Sequence, residues 1–340
     1  MPSAHRIPRV CLVVFGAAAA AVLWGQGPRL RQHRATEARP LQLVEATEPP
    51  VMANRVSITV EGDARVISSN DIPSHTVGRF PNRGNPHAIA EQTWEIRLPA
   101  KPTVNQQALM LHAPDRRGPP LPFGIAVNGV LFDPAAAEFW MGDRKAGWNY
   151  EALGGAVSLG LDANHAHVQR GGIYHYHGLP TGLLAELELS SIGNAVHSPL
   201  IGWAADGFPI YCLFGHADAD DPASEIKQLS SSYRLKAGMR PEGTLGPGGR
   251  YDGAFVQDYE YVAGSGDLDD CNGRFCKTPE FPEGTYAYFL TENWPVIPRG
   301  FRGTPVSLRT EGPPPGRQPP GRGFPGRRPP PPRGQRPPPR

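Results

Sequence analysis

Glycine and proline, 40 of each in 340 residues, interrupt this chain so often that little uninterrupted length is left for helices. Glycine disfavours a helix interior through backbone entropy, and proline through its missing N–H and its ring. Between these residues lie short runs of period two. Val56, Ile58 and Val60 alternate with polar neighbours, as do Trp94, Ile96 and Leu98, which is the pattern of half-buried strands. Further strand candidates are 123–130, 173–177, 201–203, 208–213, 259–262 and 285–290. Helix signals are few. Asp133 can cap a helix that opens at Pro134 and runs over 135–140. Residues 181–189 fit a helix or, by the alternation Glu186-Leu187-Glu188-Leu189, a strand. The expected fold is mainly β, a sandwich or jelly-roll-like single domain with a few short helices and long loops.

The net charge of +2 averages three unlike regions. Residues 1–34 carry five Arg and residues 312–340 seven, with no acid in either, so the body between them holds 22 basic residues against all 32 acids. An acidic body of this kind argues against a nucleic-acid partner. Arg6 and Arg9 precede an apolar run over 10–25, the layout of an export signal, and that run is short of the about 20 residues a spanning helix needs. Arg29, Arg31 and Arg34 beyond it keep an uncleaved membrane anchor open as an alternative. Residues 1–27 are therefore read as signal peptide or signal anchor, 28–50 as linker, and 51–311 as an extracytoplasmic body, periplasmic or secreted. Residues 312–340 form a Pro/Arg/Gly-rich tail that cannot bury a core, with attachment to an anionic envelope surface as one role and simple solvation as the other.

Two His-x-His pairs, His165 with His167 and His175 with His177, lie within thirteen residues of each other. On an extended strand, side chains at i and i+2 share a face, so each pair can aim two imidazoles at one point while Tyr174 and Tyr176 face away. A hairpin would bring the pairs face to face and offer the imidazole set that suits Cu(II) or Zn(II). The plainer alternative is a half-exposed hairpin with polar histidines. His75 and His197 sit on loops, and either could complete the set; His87, His112 and His216 have no neighbour that recommends them. Asp206 could orient a ligating imidazole or act as a general base beside the ion, with Tyr174 and Tyr176 as supporting groups; alternatively Asp206-Gly207 is a hairpin turn. In an exported chain cysteines are disulfide candidates: Cys271 and Cys276 bracket a turn-rich loop and are expected to bridge, whereas Cys212 reads as a buried thiol on a strand. No phosphate loop, nucleophile elbow, His-Glu-x-x-His helix or dinucleotide fingerprint is present, so common kinase, hydrolase and dehydrogenase readings lose their main support.

The run over 165–178, with Tyr174-His175-Tyr176-His177 at its centre, resembles the signature of the YHYH family of exported proteins. Residues 73–86, 123–132, 197–211, 269–274 and 285–303 look like that family as well, so the likeness spans roughly 55–308. The resemblance implies an extracytoplasmic β-rich domain and a role for His167, His175 and His177, with His165 matching less closely. It also implies that a cysteine common in the family is replaced here by Gly300, which leaves Cys271 without its usual partner and makes Cys276 the substitute. The combined reading is an exported protein that binds one transition metal through His167, His175 and His177, with His165 or His197 as fourth ligand. Copper is favoured over zinc, and metal-dependent oxidoreductase or hydrolase chemistry remains open. The alternative is a metal-free module that binds an envelope glycan or peptide through Tyr174, Tyr176, Trp148 and Trp203.

Overall fold

A computed structural model describes residues 33–112, 122–189 and 195–308. Residues 1–27, expected to be a signal segment, and the tail 312–340 lie outside the described residues.

The first period-two runs form a three-stranded antiparallel sheet of β1 (Val56–Glu61), β2 (Ala64–Ser69) and β3 (Trp94–Pro99). Along β3, Trp94, Ile96 and Leu98 are buried while Glu95 and Arg97 are exposed, as the alternation requires. A second sheet has eight strands. In chain order these are β4 (Gly124–Ala126), β5 (Leu131–Phe132), β6 (Ala166–Val168), β7 (Tyr174–Tyr176), β8 (Gly202–Ala204), β9 (Pro209–Cys212), β10 (Gly273–Thr278) and β11 (Phe281–Leu290). Across the sheet the order is β10-β11-β9-β8-β4-β5-β7-β6. Two of its pairings, β5 with β7 and β9 with β11, are parallel. One core joins the two sheets, with Ile67, Trp94, Ile96 and Leu98 from the first and Ile125, Tyr174, Tyr176, Ile210 and Tyr288 from the second. Two-residue and three-residue ladders surround this sandwich-like body, and no sheet closes into a barrel among the described residues.

Three local expectations change. Residues 135–139 form a strand paired with Asn149–Glu151 rather than a helix, because the Asn149 amide donates to the carbonyls of Ala136 and Glu138 and holds them extended. Tertiary pairing here outweighs alanine's helix propensity. Residues 35–48, read as linker, are bonded to the body: Val44 bridges to Asp162, Arg39 donates to the Gly154 carbonyl, and the Ala35 carbonyl accepts from the Tyr150 hydroxyl. The Cys271–Cys276 bridge is not formed, and both thiols are free. The reason is facing: Cys271 joins the main core, whereas Cys276 on β10 joins a separate cluster with Tyr211, Leu229 and Phe289. Cys212 is a buried free thiol on β9, as its apolar surroundings indicated. The one α-helix among the described residues, α1 (Thr181–Glu186), falls inside the ambiguous 181–189 segment.

Candidate metal centre

The site is built on the β6–β7 hairpin. Its turn runs through Gly171 and Gly172 at φ +97° and +87°, a conformation L side chains rarely adopt, and at Gly172 a Cβ would also collide with Ala90. The turn fixes an antiparallel register in which His175 lies directly opposite His167. His177 follows two residues after His175 on the same face. The three side chains therefore meet: Nε2 of His177 is 3.1 Å from Nε2 of His175 and 3.1 Å from Nε2 of His167. Tyr174 and Tyr176 point the other way, into the core.

The outer ring nitrogens decide what these contacts can be. Nδ1 of His167 lies 2.8 Å from the Leu159 carbonyl, and Nδ1 of His175 lies 3.3 Å from the Ile173 carbonyl. A carbonyl accepts only, so in each neutral ring the proton sits on Nδ1 and Nε2 carries a lone pair. A neutral His177 can place at most one proton between the three Nε2 atoms, which leaves lone pairs facing one another. Protonating His167 or His177 is also costly. Burial pushes the His167 imidazole down to about 4, with His87 adding to the effect and the Leu159 carbonyl opposing it. Burial pushes His177 well down too, reinforced by His167, His175 and Arg299 and opposed by the Pro134 carbonyl. With the His177 proton turned to the Pro134 carbonyl, three Nε2 lone pairs would converge, a donor set that suits a cation. Two nitrogens bound tetrahedrally at about 2.0–2.1 Å would stand about 3.3 Å apart, close to the spacing present here.

Around the triad, Arg299 forms a buried two-pronged ion pair with Glu151 at 2.9 Å and donates to the Pro134 carbonyl. On the other side the three histidines line a cavity of about 400 Å³, whose wall includes His33, Asn85, His87, Asp133, Glu138, Arg144 and Arg170. Nothing in the local sequence points to this wall. His87 carried no local signal, and Asp133 read as a helix cap.

The remaining candidates sit elsewhere. His165 occupies a turn at φ +53°, and its Nδ1 meets the Leu179 carbonyl at 2.9 Å instead of the triad. His197 packs edge-on against Tyr211 and bonds the Ser198 carbonyl through Nδ1. Asp206 makes the hairpin turn between β8 and β9, where its carboxylate accepts from the Tyr288 hydroxyl at 2.6 Å and the Gly303 N–H at 2.8 Å. Neither fourth ligand nor general base is supplied by these residues. The tyrosines support the hairpin from behind: the Tyr174 hydroxyl donates to Asp162, and the Tyr176 hydroxyl donates to His75 Nε2 while accepting from the Asn128 amide. Tyr174 and Tyr176 have no exposed surface, and Trp148 and Trp203 are buried, so the aromatic face required by a glycan or peptide module is not presented.

A family model described as YHYH protein matches residues 95–303, more than half of the chain and all three converging histidines. Comparison with curated proteins and with solved structures finds no significant match.

Proposed function

This chain belongs to the YHYH family, and we propose that it is an exported protein that binds one transition metal ion through Nε2 of His167, His175 and His177. The observation that carries this reading is the convergence of the three Nε2 atoms with their protons held on the far side of the ring at His167 and His175 by backbone carbonyls. Carbonyl support of this kind fixes tautomer and ring orientation in metal-ligating histidines. An all-imidazole set suits copper and zinc, and affinity order favours Cu(II). Among the described residues no cysteine joins the triad, since Cys212, Cys271 and Cys276 pack in the apolar clusters. The basic and then apolar start of the chain supports placement outside the cytoplasm.

Elemental analysis of untagged full-length protein tests the proposal. One ion per chain is expected, and it should be lost when His175 and His177 are both changed to Ala. A chain that takes up no stoichiometric copper or zinc, or a double variant that keeps it, would refute the metal centre.

A further inference from the structure

The cavity beside the triad deepens the metal reading and rests on it. Charge decides what can enter. Imidazole ligates through a neutral ring, so three such ligands would cancel none of the ion's charge. Two acidic residues, Asp133 and Glu138, and two basic ones, Arg144 and Arg170, line the cavity wall in equal number, while His33 and His87 add no negative charge. Behind the site Arg299 is already matched by Glu151. A dication held by the triad would therefore set the sign of the whole cavity as positive. The volume, about 400 Å³, is at the small end of ligand pockets, which run about 300–1,000 Å³. Arg144 and Arg170 are both exposed side chains that reach this wall from the surface. Guanidinium groups so placed attract carboxylates and match them with paired N–H donors.

We infer that the open side of the triad takes a small carboxylate or similar oxyanion, bound to the ion and drawn in by Arg144 and Arg170. Asp133 and Glu138 on the same wall limit the size and charge of that anion, because a larger polyanion would have to approach their carboxylates.

The test uses full-length protein loaded with Co(II), whose visible spectrum reports ligand exchange. Formate is the probe and uncharged formamide the control. Formate should shift the bands saturably and formamide should not. R144Q/R170Q should raise the formate Kd at least about tenfold, the effect of roughly 1.4 kcal/mol, while leaving cobalt stoichiometry unchanged. Bound cobalt with no response to formate, an equal response to formamide, or an unaltered Kd in the double variant would overturn this inference alone. Failure to bind any cobalt, copper or zinc would overturn the metal centre and the anion site together.

Discussion

Two pairs of histidines with identical spacing, His165/His167 and His175/His177, end in different places. In the second pair the backbone runs extended through β7, so both rings reach one point. In the first, His165 sits at φ +53° in the turn that opens β6, with its N–H bonded to the Asp162 carbonyl, and only His167 lies on the strand. Spacing of i and i+2 places two side chains on one face only where both residues are extended. The difference also assigns functions: three rings converge, and the fourth fastens the segment after β7 through Leu179.

Removing one ring from each pair should separate the two pairs most sharply. His175→Ala should weaken metal binding by about 100-fold or more, since even the loss of groups that merely support a ligand costs about 10–100-fold. Competition with a chelator measures it; comparable losses in His165→Ala and His175→Ala would erase the distinction.

The cysteines repeat the lesson, because a short interval in sequence did not make a bridge. A Cβ placed at Gly300 would stand 3.0 Å from Cys271 Sγ, with Met110 Sδ at 2.7 Å as the neighbour that must move. Gly300→Cys should therefore form the cross-link that Cys276 does not, raising stability by about 2–4 kcal/mol under oxidising conditions. Thiol titration and urea unfolding with and without reductant check it, and two titratable thiols at these positions after oxidation would reject the geometry.

A third test concerns proton binding by the converged rings. The folded His167 imidazole is held down at about 4 from an ordinary 6.5, so the unfolded chain takes up the proton first as pH falls. Stability of the metal-free protein should be undiminished above pH 6.5 and lost progressively between 6.5 and 4, by up to about 3 kcal/mol, less whatever the partly open cavity screens. His177 shifts in the same direction. Urea midpoints across this range should fall in the wild type and flatten in His167→Phe; equal slopes would show that other groups control the acid limb.

Behind the hairpin, Tyr176→Phe removes the donor to His75 and the acceptor for Asn128, and should cost about 1–3 kcal/mol while metal stoichiometry stays at one per chain. Loss of the ion at unchanged stability would place the tyrosine in the site rather than behind it. The smallest effect is expected at His165→Ala, about 1 kcal/mol for the hydrogen bond to the Leu179 carbonyl, with metal affinity unaltered.

Much of the fold was legible because strand alternation is local. Trp94, Ile96 and Leu98 bury their face as their period indicates, and the Asp206-Gly207 turn forms as its dipeptide suggests. Residues 135–139 misled because the local signals for a helix are real; a partner strand and the Asn149 amide override them. The site divides in the same way. His167, His175 and His177 were readable from alternation within a hairpin, whereas His87, Asp133 and Arg144 reach the cavity from segments with no pattern in common.

By itself, the order Tyr174-His175-Tyr176-His177 determined that two imidazoles would share one face and two phenols the other, because pleating of an extended backbone leaves no other arrangement. Tertiary structure alone decided that His167 rather than His165 would join them, that the Leu159 carbonyl would hold its proton away from the centre, and that Cys271 would lie beside Gly300 instead of Cys276. Those outcomes depend on where chain segments meet after long loops close, and the packing that settles such meetings is not written in the spacing of neighbouring residues.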